Sequence, residues 1–275
     1  MVALAIQARP AWAEEKGKLR IVVFGAHPDD AEIRAGGTAA LWAAQGHAVQ
    51  LVSVTNGDIG HYAMSRPELA ARRLAETKAC DALLGASTRI LDIHDGELEP
   101  TLANRRTITR VIREWKADIV IAHRPNDYHP DHRYVGVLVQ DSAYMVTVPK
   151  FCPETPHLRA NPVFLYSEDG FERPNPFRPD IVVAIDATVD RKAQGLMKME
   201  SQFVEGGANG TAPKDAADRE ARRKRGFEGF KARSARTADR FREKLIALYG
   251  PELGKEVRYA EAFELTEYGR HADEA

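Results

Sequence analysis

The chain has 275 residues, of which 44% are hydrophobic and 29% charged. With a mean hydropathy of −0.41, that composition excludes a disordered chain, and no apolar run approaches the roughly 20 residues that a membrane-spanning helix needs. Lys and Arg total 39 against 40 Asp and Glu, so the strong basic field of a nucleic-acid binder is missing and a small molecule is the expected partner. Cys80 and Cys152 lie far apart without a CxxC pair and read as ordinary buried thiols.

Residues 1–18 read as a disordered lead or a signal-peptide remnant. Ala11-Trp12-Ala13 resembles a signal-peptidase site, while the basic leading segment is missing. The choice decides between an exported protein and a cytoplasmic one. The rest, 19–275, reads as a single domain with a helical extension from about residue 204.

The run Leu19 to Phe24 predicts a buried strand that ends at Gly25-Ala26. Thr38 to Gln45 predicts a helix stopped by Gly46, and Val49 to Val54 a second strand ending at Thr55-Asn56-Gly57-Asp58. Pro67 to Leu84 reads as a helix closed by Gly85, followed by a short strand at Arg89 to Leu91. Ala103 to Trp115 is helical, with Ile108, Val111, Ile112 and Trp115 on one face. Ile119 to Ala122 is the next strand and Val135 to Val146 the next helix. Val163 to Tyr166 and Ile181 to Ile185 are strand-like within a Pro- and aromatic-rich stretch. Gly206 to Arg225 is polar and reads as a surface loop, Arg236 to Leu248 as helix, and Tyr259 to Leu265 as a closing strand. Strand and helix alternate through the first half, which predicts an α/β fold with a mostly parallel sheet and helices on both faces.

In such sheets, reacting groups gather in the loops at the carboxyl ends of strands. Two segments rich in His and Asp fall there: Ala26-His27-Pro28-Asp29-Asp30-Ala31-Glu32 and Asp127-Tyr128-His129-Pro130-Asp131-His132. His27 and Asp30, three apart across a proline, suit a chelate. His132 adds a third ligand, and two imidazoles with one carboxylate match a catalytic Zn2+ site that keeps a position open for water. Asp29 is then placed to take a proton from that water, and His129, if cationic, to stabilise an oxyanion or protonate a leaving amine. The plain alternative is a helix cap at Asp29-Asp30 and a solvated turn at 129–132.

Together these segments resemble the PIG-L or LmbE-like zinc-dependent de-N-acetylases. The resemblance rests on AHPDDAE, on Gly36-Gly37-Thr38, on Thr55 to Asp58, on Arg73 to Glu76 before Leu84-Gly85, and on HPDH, and it continues weakly to Asp186, Lys192 and Ser201-Gln202. It implies a Rossmann-like fold and hydrolysis of an N-acetyl group from a glucosamine-type sugar, with release of acetate. It also implies His27, Asp30 and His132 as metal ligands, Asp29 as general base, His129 at the oxyanion and Asp131 orienting or tuning His129. Relatives of this fold often assemble as trimers or hexamers, so a homo-oligomer is expected. Arg34 stands where many members have glycine; it either reaches the pocket mouth or covers the surface.

Substrate-side residues are read from position. Arg73 contacts the sugar or pairs with Glu76 on the helix surface. Asn56 and Asp58 either line the crevice or make a turn. His61, Tyr62 and Tyr128 are candidates for a sugar-facing rim. His94 and Asp95 follow a strand and are candidates to line the site, whereas His47, His123 and His157 receive no role. Ala221 to Lys231 reads as a solvated helical face. Two other function classes fit this chain: a non-catalytic sugar-binding protein of the same fold, and an amidase acting on a different N-acylated amino sugar or natural product.

Overall fold

β-Branched runs without charge can be buried on both faces, and four of them form the centre of a parallel sheet. The computed structural model describes residues 17–272; the export-signal reading of residues 1–13 lies outside them. In chain order the elements are β1 (Arg20–Gly25), α1 (Asp30–Ala44), β2 (Ala48–Ser53), α2 (Arg66–Leu84), β3 (Ser87–Ile90), α3 (Leu102–Trp115), β4 (Ile119–Ala122) and α4 (Pro130–Met145). They continue with β5 (Val163–Ser167), β6 (Ile181–Ala184), α5 (Val189–Leu196), α6 (Glu200–Phe203), α7 (Ala216–Arg240), α8 (Arg242–Tyr249), α9 (Leu253–Glu256) and β7 (Ala260–Gly269).

The seven strands form one sheet in the order β3-β2-β1-β4-β5-β7-β6. The first five are mutually parallel, with Val23 opposite Leu51 on one side and Ile121 on the other. β7 runs antiparallel to both β5 and β6. Strand order reverses between β1 and β4, and a crevice opens at the carboxyl ends of strands at such a reversal. Val22, Phe24, Val120 and Phe164 pack with Ile108, Val111, Ile112 and Leu138 on one face. Ile21, Val23, Leu51 and Ile121 pack with Ala35, Ala39, Leu84 and Leu196 on the other. The α/β sandwich expected from the alternation of elements is therefore present.

Two helices begin earlier than periodicity predicts. α1 starts at Asp30 rather than Thr38, and α4 at Pro130 rather than Val135. In each the missed turn is polar because it carries Asp30 or His132, and an apolar stripe cannot report a turn that faces a site. Gly36-Gly37 lies inside α1, where a Cβ at Gly37 would stand 2.7 Å from Ile185 Cδ1, so the glycine is set by close packing. α2 has a full N-terminal signal, with Ser65 and Glu68 forming a capping box and Gly85 closing it at φ 77.

The polar stretch from Gly206 is a loop only in its first part. Asp215 accepts the Asp218 N–H at 2.7 Å and caps α7, a 25-residue helix whose Phe227 and Phe230 lean on the core. Beyond α9 the chain re-enters the sheet as an interior strand. Its Glu261 side chain accepts the N–H groups of Gly37 (2.9 Å) and Thr38 (2.8 Å) and pairs with Lys192 (2.7 Å). The segment after 204 is thus more than a helical extension, since the alternating residues of 259–265 build a strand that the sheet closes around.

Candidate active site

Gly25 ends β1, and its lack of a side chain lets the chain fold back at once onto α1: a Cβ there would stand 2.6 Å from the Asp30 Cβ. The turn places the Asp30 carboxylate under the Ala26 and His27 N–H groups, which donate to its Oδ2 at 3.0 and 2.8 Å. Across the strand-order reversal, Pro130 opens α4 and His132 sits in its first turn. Asp30 Oδ2 then lies 3.3 Å from both His27 Nδ1 and His132 Nε2. Ligands about 2.0–2.1 Å from a tetrahedral metal stand roughly 3.3 Å from one another. Spacing and donor chemistry therefore both fit a divalent cation held by these three residues.

The far nitrogen of each imidazole is also held. His27 Nε2 meets Asp131 Oδ2 and Asp95 Oδ1, each at 3.1 Å. His132 Nδ1 meets Asp127 Oδ2 at 3.1 Å. Carboxylates behind ligating histidines fix tautomer and ring orientation and make the imidazole a better donor. Asp131 is anchored by the Gly96 N–H (2.8 Å), and Asp127 accepts the His129 N–H (2.8 Å). Two further triads, His27-His129-Asp131 and His123-Asp127-His132, also bring donor atoms within 4.8 Å.

The electrostatics match. Burial alone would push His27 down, yet hydrogen bonds to Asp131, Asp30 and Asp95 lift it to about 12. Burial likewise opposes ionisation of Asp30, but His132 and His123 hold its carboxyl well below the usual range. The pocket therefore favours positive charge. Asp29 behaves differently from its neighbour. Burial and the adjacent Asp30 charge push it up to about 7, against Arg73 and the two histidines. A carboxyl with that proton affinity can accept a proton and return it near neutral pH. His129 is exposed at the rim, 4.8 Å edge-on from His27 and stacked 4.6 Å from His132. Burial and the charges of His27 and His132 push its pKa down, against the pull of Asp131 and Asp30.

Other positions differ from expectation. The hydrogen bonds of Asp131 run to His27 and Gly96 rather than to His129, so it orients the ligand. Arg73 is buried beneath Asp29, its Nη1 4.0 Å from Asp29 Oδ2, while Nη2 donates to Gly60 O and Gln202. Its suggested partner Glu76 instead binds Arg72 (2.8 Å). Asp58 is buried and receives His94 Nδ1 (2.6 Å) and the Asp95 N–H (3.1 Å), which positions Asp95 against His27. Asn56 accepts the Asp58 N–H (3.2 Å) in a turn. Tyr128 is 72% exposed and packs edge-on against Phe171, at the mouth. His61 does not reach the rim, because it is bound to Glu205 at 2.9 Å.

The sequence reading gave no role to His123 or Asp127, and it placed Asp95 only as a candidate to line the site, not against His27. His123 closes β4, accepts the Ala26 N–H at Nε2 (3.2 Å) and stacks on His132 at 4.3 Å. Its signal was its place, directly after a buried strand beside the reversal.

The fold and this centre define an α/β protein with two histidines and one carboxylate converging at the topological switch point of its sheet. A family model described as PIG-L, GlcNAc-PI de-N-acetylase, matches residues 22–143. The diacetylchitobiose deacetylase of Thermococcus kodakarensis is 30% identical over 198 residues, covering 68% of this chain and 71% of that one. The 4-oxalmesaconate hydratase of Pseudomonas putida is 29% identical over 192 residues, covering 66% and 73%. The crystal structure of N,N'-diacetylchitobiose deacetylase from Pyrococcus horikoshii shares the fold with a TM-score of 0.68 at 24% identity, covering 92% of this chain and 86% of that one. The chain belongs to the PIG-L family.

Proposed function

We propose that this protein is a zinc-dependent hydrolase that removes the acetyl group from an N-acetylglucosamine-type sugar or glycoside. The observation that carries the reading is the buried Asp29, poised near neutrality beside a cation site whose ligands are each held from behind. His27, Asp30 and His132 would hold the ion, which acts as a Lewis acid that polarises the acetyl carbonyl and lowers the pKa of the attacking water. Asp29 takes a proton as water adds to the carbonyl carbon. His129 offers an N–H to the oxyanion that develops. When the C–N bond breaks, the proton on Asp29 passes to the amine nitrogen, and acetate and the free amino sugar leave. Arg73 keeps Asp29 oriented from below. Among curated relatives, deacetylases of N-acetylated sugars support this choice.

The test is acetate release from N-acetylglucosamine and its glycosides by as-purified, chelated and zinc-restored protein. Loss on chelation and recovery with zinc is the expected result. Activity unaffected by chelation would overturn the metal, and acetate from no sugar would overturn the substrate class. A second reading, addition of water to a carbon–carbon double bond, is favoured by the hydratase relative; loss of ultraviolet absorbance from an unsaturated carboxylic acid without acetate release would select it. We propose also that residues 19–275 form one domain and that several copies assemble, which light scattering on the eluting protein measures.

A further inference from the structure

Next to the metal-ligating cluster, on the same carboxyl edge of the sheet, a cavity of about 410 Å³ is lined by four arginines, Arg34, Arg233, Arg236 and Arg240, with Glu168 and Asp169 as its acidic groups. Glu168 offsets one of the four, and Asp169 is turned toward Arg124 outside the cavity. Asp169 Oδ1 is taken by Arg124 (3.0 Å) and the Phe171 N–H (3.0 Å). Glu168 divides its oxygens between Arg240 (3.3 Å) and the Thr237 hydroxyl (2.9 Å). Arg34 donates to the Glu168 carbonyl oxygen. Among the described residues, no carboxylate lies within 4.0 Å of Arg233 or Arg236.

Like charges gathered around a concave surface repel one another, and a guanidinium fork matches phosphate or carboxylate oxygens in pairs. Arg233, Arg236 and Arg240 stand exposed on the cavity's α7 wall, and Arg34 faces them half-buried from α1. Arg34 is one helical turn from Asp30 on α1. The loop after β5 borders both places: Glu168 and Asp169 face the arginines, while Phe171 packs 4.9 Å edge-on against Tyr128, next to His129.

We propose that the arginine cavity is a subsite for an anionic group, phosphoryl or carboxylate, carried by the substrate, so that the enzyme selects an acidic N-acyl amino sugar over a neutral one. The inference rests on the deacetylase reading and extends it to a substrate class. Arg34, which stands where the family resemblance leads one to expect glycine, thereby gains a role at the pocket mouth.

The test compares kcat/KM for N-acetylglucosamine, its 1- and 6-phosphates and N-acetylmuramic acid in the metal-loaded enzyme and in the Arg233→Gln/Arg236→Gln double variant, beside calorimetric titration with inorganic phosphate. The expected result is a tenfold or greater preference for a charged sugar, carried in KM, that falls to near one in the variant, with phosphate affinity weakened at least tenfold. Equal use of charged and neutral sugars by the wild type, or a preference that survives in the variant, would overturn the subsite and leave the deacetylase reading intact. Phosphate binding that depends on the arginines without any substrate preference would also overturn it, in favour of a site for a free anion. If no sugar releases acetate, the deacetylase reading fails. In that case the substrate subsite fails with it, whether phosphate affinity is unchanged in the variant or is weakened as at a site for a free anion.

Discussion

Asp29 and Asp30 are adjacent in sequence and opposite in chemistry, and the difference comes from what each carboxylate faces. Asp30 accepts two backbone N–H groups and touches three histidines, which keep it ionised. Asp29 is buried beside that charge and its proton affinity rises. Asp29→Asn should therefore cut acetate release by about a thousandfold or more while zinc content stays stoichiometric. His27→Ala should lose the zinc itself. An Asp29→Asn protein with wild-type turnover would remove Asp29 from the base role. The supports behind the ligands predict a subtler effect: Asp127→Asn or Asp95→Asn should weaken zinc binding by about 10–100-fold, measured by competition with a chromogenic chelator. His27, Asp30 and His132 were legible because ligand-type residues rarely cluster twice after buried strands. Asp95 was legible only as a residue near the site, since only the fold brings residues 94–96 over His27, and Asp58, read as lining the crevice or making a turn, spends its carboxylate holding that loop.

Elements follow the same division between packing and chemistry. Helices with an apolar stripe and clear caps, such as α2 and α3, lie within a residue of their sequence bounds, whereas α1 and α4 lost the turns that serve the site. The pair Arg72-Glu205 ties α2 to the segment after α6, with both guanidinium N–H donors at 2.8 Å from Glu205 and His61 at 2.9 Å. Those bonds from Arg72 outweigh burial and, with His61, hold the Glu205 carboxyl below its ordinary 4.5. A depressed carboxylate stabilises the fold above its unfolded pKa, and the contribution is lost as pH falls through the folded value. Glu205→Gln should thus lower the melting temperature by a few degrees at pH 7, corresponding to about 1–2 kcal/mol. The gap to wild type should close as pH drops below about 4.5; a gap constant with pH would sink the assignment. Gly37→Ala, which drives a methyl into Ile185, should cost about 1–3 kcal/mol in a denaturant titration.

At the scale of the molecule, composition and alternation were enough for the layered α/β architecture, because an element's burial shows in its own sequence. The position of β7 was not readable that way. An alternating strand fits an edge as well as an interior, and its partners β5 and β6 come much earlier in the chain. Removing residues 260–272 should accordingly abolish the cooperative melting transition and expose dye-binding apolar surface, whereas a trimmed appendage would leave the transition in place. Two buried strands would be left with open hydrogen-bonding edges.

The late arrival of β7 has a consequence for synthesis. While a ribosome is still making the α7 to α9 region, β5 and β6 have emerged without the strand that joins them, and Glu261 is not yet available to receive Lys192 and the α1 amides. The nascent protein must wait in a partly assembled state with sticky edges, the kind of intermediate that holding chaperones shield, until residues 260–269 leave the exit tunnel.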